Sequence, residues 1–323
     1  MSFKVLICDS VAKKGVEYLK SKGFECVEAN GKTEDELAAM IKEYDAIIVR
    51  SATKVTPKIL SAGVPKLKVA GRAGVGYDNI NVEAASENGV VVMNSPFGST
   101  ISVAELAVGL TFAISRKIHL ADAKMKKNVW DKKSFMGNEH NGKTVGKIGG
   151  GRIGVETGKR FKAFNMKVLC YDPYYVNKED RRLMGFEFVD FETLITQSDV
   201  ISLHVPKTKE TTNMINKEVI AKMKNKVILI NCARGGIINE AELLEVLNTM
   251  PDKFLGVGLD VFEAEPPVKW DLINHEKVCA TPHVGASTKE AQELVAVQIC
   301  EQIVEALTKN NFVNAVNLDK IKK

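Results

Sequence analysis

Gly149-Gly150-Gly151-Arg152-Ile153-Gly154 follows the apolar-leaning run Thr144 to Ile148 and precedes a segment of helical character that ends near Phe164. Strand, glycine turn and helix in that order make a pyrophosphate-binding unit. The glycines permit a tight turn and close backbone approach, and the N–H groups and positive end of the helix face the anion. Asp172 stands eighteen residues beyond Gly154, directly after a second apolar run, Val168 to Tyr171. An acid there hydrogen-bonds both ribose hydroxyls of an adenosine and repels a 2′-phosphate, so the pattern points to NAD rather than NADP. The alternative is a glycine turn that only packs a helix against a sheet, and it leaves Asp172 unexplained.

Working outward, the chain of 323 residues exceeds the ~250–300 at which a single core stops growing, so two domains are expected. A hydrophobic content of 45% suffices for two cores. The net charge of +5 comes from scattered Lys and Arg, the usual composition of a solvated surface, and it suits an anionic small molecule better than a nucleic-acid groove. Six cysteines (Cys8, Cys26, Cys170, Cys232, Cys279, Cys300) show no C-x-x-C spacing, so reduced thiols, no metal site and a cytoplasmic location are expected. The N-terminus enters a strand pattern at Lys4 without signal-peptide layout, and no apolar run approaches ~18 residues, so neither secretion nor membrane insertion is expected.

Short apolar runs alternate with amphipathic segments from the start: Lys4 to Cys8, Val11 to Lys22, Glu25 to Glu28, Thr33 to Tyr44, Ala46 to Val49. That alternation reads as parallel βα units, and Thr33 with Glu36 forms a capping box at one helix start. Further strands are expected at Lys68 to Gly71 and Val90 to Met93. From Ser99 to about Asn128 an apolar-periodic stretch without proline reads as one long helix. Six more strands follow, at Val145–Ile148, Val168–Tyr171, Val200–His204, Val227–Ile230, Gly256–Leu259 and Val278–Ala280, which suits a doubly wound dinucleotide-binding sheet. The last helix, Lys289 to Thr308, lies beyond that sheet and can return to the first region. The expected class is therefore α/β with two doubly wound parallel-sheet domains. A Rossmann NAD-binding domain (99–286) is inserted into a discontinuous flavodoxin-like substrate-binding domain (1–98 and 287–323).

Ligands of open parallel sheets sit outside the carboxyl ends of strands. Arg234 lies just beyond the strand ending at Ile230, in Asn231-Cys232-Ala233-Arg234-Gly235-Gly236, where a guanidinium fork can hold a carboxylate through two parallel hydrogen bonds. Glu265 follows the strand ending at Leu259 and precedes Pro266-Pro267, while His283 follows Thr281-Pro282 beyond the strand ending at Ala280. A histidine beside a glutamate suits proton exchange with a substrate hydroxyl, because the carboxylate fixes the ring and stabilises its charged form. His204, at a strand end, is placed to line the cofactor cleft; His119, His140 and His275 are weaker candidates.

The runs VRSATKVT (from Val49), GRAGVGYDN (from Gly71), NCARGG (from Asn231), LDVFEAEPP (from Leu259) and TPHVGASTKEAQ (from Thr281) resemble the D-isomer-specific 2-hydroxyacid dehydrogenases, over nearly the whole chain. The resemblance implies that Arg234 holds the substrate carboxylate and carbonyl and that His283 is the acid/base. Glu265 would be its partner in preference to Glu263, since the family's glutamate directly precedes proline. It implies an NAD site of Gly149, Gly151, Arg152, Ile153, Gly154, Asp172, His204, Val205, Cys232, Ala233, Asp260, Gly285 and Ala286, with Val75 on the nicotinamide side. Substrate contacts would include Arg50, Ser51, Arg72, Gly74 and Val75 besides Arg234 and His283. Arg50 and Arg72 would face a phosphate, a dianion that favours several cations; Lys54 and Lys132 are further candidates, and surface salt bridges are the alternative for the two arginines.

The activity so implied is NAD-dependent oxidation of 3-phospho-D-glycerate to 3-phosphohydroxypyruvate, the first step towards L-serine. Reduction of glyoxylate, hydroxypyruvate or another 2-keto acid is the enzymatic alternative, and a non-catalytic dinucleotide-sensing protein the alternative of another class. A homodimer formed through the NAD-binding domain, with the Ser99–Asn128 helix at its interface, is expected, with neither nucleic acid nor membrane as partner. Three features depart from the family pattern. Lys147 replaces an apolar residue inside a central strand, where a charge is costly unless its stem reaches solvent or it is paired. Gly150 replaces a bulky residue, and both changes are expected to loosen the cofactor turn. The sequence ends shortly after Val316-Asn317, so a C-terminal regulatory module and feedback by serine are not expected.

Overall fold

A computed structural model of the chain describes residues 2–174 and 185–321. It divides into two compact units, residues 1–99 with 286–323, and residues 100–285.

In the first unit five strands, β1 (Lys4–Ile7), β2 (Glu25–Glu28), β3 (Ala46–Val49), β4 (Val69–Arg72) and β5 (Val91–Asn94), form a sheet in the order β2-β1-β3-β4-β5. Every pairing is parallel. The helices between them are α1 (Lys13–Ser21), α2 (Glu34–Met40), α3 (Pro57–Gly63) and α4 (Val82–Glu87), and α2 begins at the expected capping box of Thr33 and Glu36. Strands buried on both faces read as continuous apolar runs rather than alternating ones, which is why Ala46-Ile47-Ile48-Val49 is entirely buried. Leu6, Ile47, Ala70 and Val92 pack with Leu37, Ile59 and Ala84 on one face; Val5, Ile7, Ile48 and Val69 pack with Leu19 and with Val295, Ile299 and Ile303 of the Lys289–Lys309 helix on the other. The strand order reverses between β1 and β3, so Asp9 and Arg50, the second residue after β1 and the first after β3, flank this sheet's switch point.

The second unit holds α5 (Thr100–Ser115), α6 (Ile118–Met125), β6 (Thr144–Ile148), α7 (Arg152–Ala163), β7 (Lys167–Tyr171), β8 (Glu187–Phe188), α8 (Phe191–Gln197), β9 (Val200–Leu203), α9 (Lys217–Lys222), β10 (Val227–Asn231), α10 (Glu240–Thr249), β11 (Phe254–Leu259) and β12 (Val278–Ala280). The seven strands run in the order β12-β11-β10-β9-β6-β7-β8, all parallel. This order reverses between β6 and β9, and the chain leaves those two strands into the Gly149 turn and at His204. A switch point of this kind is where a doubly wound sheet takes its ligand.

Two expectations need correction. The stretch Ser99 to Asn128 is not one helix, because α5 stops at Ser115 and α6 starts at Ile118. Lys117 turns left-handed at φ 52°, and the Ser115 carbonyl accepts the Asn138 amide at 2.9 Å. Neither glycine nor proline marks that stop, and the apolar pattern resumes at Ile118, so the sequence conceals it. The second sheet also has seven strands rather than six; β8 is an edge strand of two residues, registered Leu169 to Glu187 and Cys170 to Phe188. Two residues are too few to carry a periodic signal.

Candidate active site

The turn after β6 is shaped by what side chains would do there. Gly149 lies at φ 108°, and a Cβ on it would run into the His204 carbonyl of the neighbouring strand end; a Cβ on Gly154 would run into the Gly149 carbonyl. Over Gly151, by contrast, a Cβ meets open space. Gly151 is also the N-cap of α7, with no side-chain cap bond and no acid in the first turn. Helix N–H groups not capped by a side chain, beside open backbone at a switch point, fit a dinucleotide pyrophosphate. Asp172, just past β7, accepts the Gly150 amide at 2.6 Å through Oδ2 and the Tyr174 amide at 2.9 Å through Oδ1. The acid is thus tied to the turn itself.

Lys147 does not reach solvent, and among the described residues it makes no carboxylate bond. It is 1% exposed, with Nζ 3.4 Å from the Gly149 carbonyl and 4.7 Å from the centre of the Phe186 ring. Burial lowers its pKa against partial support from Cys170 and Asp172. Register places it between Cys170 on β7 and Ser202 on β9. His204 bonds Ser202 Oγ through Nε2 at 2.9 Å, and burial, with the nearby Lys147 charge, brings its pKa down to about 3. The imidazole is therefore neutral at physiological pH. Val205, next in the chain, is half-buried.

At the carboxyl ends of β10, β11 and β12 the three proposed reactive groups gather within one unit. Asn231 ends β10 and braces the following turn from both sides, accepting the Ala233 amide at 3.0 Å and donating to the Arg234 carbonyl at 2.9 Å. Arg234 donates through Nη1 to the Ala233 carbonyl at 2.6 Å. Cys232 is buried, and desolvation with the Asp260 charge pushes its thiol pKa far up. Beyond β11, Asp260 accepts Thr281 Oγ1 (2.6 Å) and the Val284 amide (2.8 Å) on Oδ1, and the Gly285 amide (2.8 Å) on Oδ2. Three bonds from one buried carboxylate clamp the loop on which His283 sits at φ 53°.

His283 Nδ1 lies 2.5 Å from Glu265 Oε2. Glu265 Oε1 accepts the Phe262 amide at 3.1 Å. Burial raises the Glu265 pKa, but the bond to His283, the Phe262 amide and the charges of His283 and Arg234 outweigh it, leaving the carboxyl below its ordinary value. Glu263 is spent elsewhere: it accepts the Glu240 amide at 3.2 Å while its own amide donates to Glu240 at 2.5 Å. Of the two glutamates, Glu265 is the one in contact with His283.

In the first unit Asp9 accepts the Arg50 amide at 2.5 Å, the Thr53 amide at 3.2 Å and Thr53 Oγ1 at 2.7 Å, which holds the loop after β3. Asn79 accepts Arg72 Nε at 3.3 Å and donates to the Arg50 and Thr53 carbonyls, both at 2.6 Å. Arg50 and Arg72 are therefore joined through one amide side chain. Arg72 also bonds the Ala73 carbonyl at 2.7 Å, and Gly74, at φ 157°, leaves the space that its guanidinium occupies. The Val75 carbonyl accepts Asn94 Nδ2 at 2.5 Å. Ser51 and Lys54 are exposed in the same unit, and Ala286 begins its second segment; Lys132 is exposed in the other unit.

His140 is buried against Ser115 Oγ at 2.9 Å, where burial lowers its pKa, and His119 contacts the Ala113 carbonyl at 3.3 Å. Both sit beside α5, away from the strand ends. Sequence reading alone passes over Asp9, Asn79 and Asn231, which only brace other residues. Their signal is modest: two end the quoted runs GRAGVGYDN and NCARGG or open them, and Asp9 follows a strand.

Residues 108–285 match the model of the D-isomer specific 2-hydroxyacid dehydrogenase NAD-binding domain. Over 319 residues, 98% of this chain and 60% of the relative, the sequence is 46% identical to D-3-phosphoglycerate dehydrogenase of Archaeoglobus fulgidus. The chain spans about three fifths of the length of several such curated relatives. It is also 45% identical to hydroxypyruvate reductase of Thermotoga maritima, covering 94% of this chain and 98% of that protein. The crystal structure of a glyoxylate reductase from Paecilomyes thermophila superposes with a TM-score of 0.87 at 29% identity, covering 98% of each chain. No described helix is long and apolar enough to cross a membrane. The chain belongs to the D-isomer-specific 2-hydroxyacid dehydrogenase family, and residues 108–285 form its NAD-binding domain.

Proposed function

We propose that this protein oxidises 3-phospho-D-glycerate to 3-phosphohydroxypyruvate, the first step of L-serine biosynthesis. The observation that carries the choice of substrate is the Arg50–Asn79–Arg72 network, in which one amide side chain accepts from the Arg72 guanidinium and donates to the Arg50 backbone carbonyl, so that two cationic residues are held on one braced pair of loops. Such a pair suits a phosphate dianion, whereas an unphosphorylated 2-hydroxy acid needs no cation beyond the one on its carboxylate. The relatives named D-3-phosphoglycerate dehydrogenase support the same choice.

The residues of the second unit would perform the chemistry. With Nδ1 engaged by Glu265, neutral His283 carries its lone pair on Nε2, which takes the proton of the C2 hydroxyl. Arg234 orients the carboxylate and stabilises the oxygen as it becomes a carbonyl. The Gly149–Gly154 turn and Asp172 would hold NAD+, which when bound would supply the hydride acceptor. In the reverse direction His283 returns the proton. Ser51, Gly74 and Val75 would line the substrate, and Val205, Cys232, Ala233 and Ala286 the dinucleotide.

Exposed apolar side chains over 118–136, among them Ile118, Met125, Val129, Trp130 and Met136, support a homodimer formed through the NAD-binding domain. Sedimentation at working concentration tests it; a monomer contradicts it. Six free thiols suit a reducing cytoplasm.

A second reading has its own observation: the hydroxypyruvate reductase of Thermotoga maritima is matched over nearly its whole length. It would keep His283, Glu265 and Arg234 in the same roles and run the reaction towards the hydroxy acid. Mass spectrometry of the trapped keto acid formed from NAD+ and 3-phospho-D-glycerate tests the first reading; the phosphorylated adduct is the expected product, and its absence with active protein favours the second.

A further inference from the structure

Lys147 is a lysine buried in a central strand, and neither the fold nor the hydride-transfer chemistry asks for one there. Cys170 and Asp172 face it from β7 and just beyond, Ser202 flanks it on β9, and His204 follows that strand. The Phe186 ring lies 4.7 Å from Nζ, and the Gly149 carbonyl accepts from it at 3.4 Å. The positive end of α7 begins at Arg152, three residues beyond Gly149. Among the described residues Asp172 is the carboxylate whose charge favours the Lys147 ammonium, and both its oxygens are bonded to backbone amides. A buried amine in such surroundings destabilises the protein by itself.

We propose that Lys147 is a cofactor-positioning residue: from beneath the glycine turn its ammonium holds the Gly149 carbonyl and offsets the charge of the dinucleotide pyrophosphate. This rests on the reading of the Gly149–Gly154 turn as the NAD site. The carbonyl it grips belongs to the residue whose backbone must take a left-handed conformation for the turn to form, and against which Gly154 packs. Fixing that carbonyl fixes the peptide plane and hence the direction of the Gly150 amide, already held from the other side by Asp172. Lys147 and Asp172 thus grip adjacent backbone groups of the turn from opposite chemical sides, a donor on the carbonyl and an acceptor on the amide. A turn with glycine at position 150, lacking a bulky side chain to stiffen it, gains most from such bracing.

Charge strengthens the case. The buried ammonium is disfavoured when the turn is empty, and a nearby dianion favours it. Cofactor binding is then accompanied by proton uptake wherever Lys147 is partly neutral beforehand. His204, with its pKa held near 3, is already neutral in that range and does not contribute.

The test is NADH binding by the full protein, followed by fluorescence and by calorimetry in buffers of different ionisation enthalpy between pH 7 and pH 10, for wild type and Lys147→Met. Loss of one charge-assisted hydrogen bond is expected to weaken NADH roughly tenfold at neutral pH. Wild-type affinity should fall with rising pH accompanied by proton uptake, and both the fall and the uptake should be smaller in the variant. The Tm of the cofactor-free variant should rise, since a thioether replaces a buried amine; this shows that weaker binding is not misfolding. Equal NADH affinity and equal proton uptake in wild type and variant overturn the proposal while leaving the NAD site intact. A folded wild type that binds no NADH overturns both.

Discussion

His283 Nδ1 and Glu265 Oε2 stand 2.5 Å apart on loops following different strands, while Asp260, at the end of the strand that leads to Glu265, clamps the backbone around His283 with three hydrogen bonds. One loop therefore orients the imidazole twice, by its ring and by its backbone. That arrangement leaves Nε2 as the ring nitrogen not turned to Glu265 and explains why a left-handed residue is tolerated at position 283.

Replacing His283 with Ala is expected to reduce turnover by roughly 10²- to 10⁴-fold, the range for a general acid–base group, with little change in NADH affinity. Steady-state kinetics paired with a fluorescence titration separates the two effects. Unchanged turnover removes His283 from the mechanism.

The Glu265 carboxyl is held below its ordinary pKa. A depressed folded value contributes stability that is complete above the unfolded pKa and disappears as pH falls through the lower folded one. Urea midpoints of wild type and Glu265→Gln should therefore differ at neutral pH and converge on acidification through the carboxylate range. A difference that persists unchanged below that range contradicts the coupling to His283.

Asp172→Asn keeps an acceptor for the Gly150 amide and removes the charge that a 2′-phosphate would meet. The kcat/KM ratio of NADP to NAD should rise roughly tenfold, the effect of removing about 1.4 kcal/mol of repulsion. An unaltered ratio confines Asp172 to bracing the turn.

Asp9→Asn or Asn79→Ala should raise KM for a phosphorylated substrate while leaving NADH affinity unchanged, because both brace the Arg50 and Arg72 backbone or side chain. Equal losses for phosphorylated and unphosphorylated acids point instead to a general packing defect.

Much of this was legible in the chain itself. Buried parallel strands announce themselves as apolar runs, so Ala46–Val49 matches its expected bounds, and the edge strands Glu25–Glu28 and Val278–Ala280 also fall where the alternation of strand and helix places them. The residues proposed for chemistry were found through the rule that ligands meet strand ends. What stayed hidden was set by tertiary contacts. The break after Ser115 depends on Asn138 reaching its carbonyl, and β8 exists only because β7 offers two residues to pair with. Lys147 reads as a cost unless its stem reaches solvent or it is paired, whereas it stays buried and an aromatic ring and a backbone carbonyl of its own turn receive it. Bracing residues such as Asn231 carry no periodic signal beyond their place at the edge of a motif, since their role is defined by bonds to the turns beside them.

The most direct test of substrate choice compares kcat/KM for 3-phospho-D-glycerate, D-glycerate and D-lactate by NADH formation at alkaline pH with a keto-acid trap, in wild type and Arg72→Ala. Wild type should prefer the phosphorylated acid by roughly 10²-fold or more, the effect of two charge-assisted contacts, and Arg72→Ala should lose most of that preference. Comparable efficiency on all three acids, or a preference that survives the substitution, contradicts the assignment of Arg50 and Arg72 to a substrate phosphate.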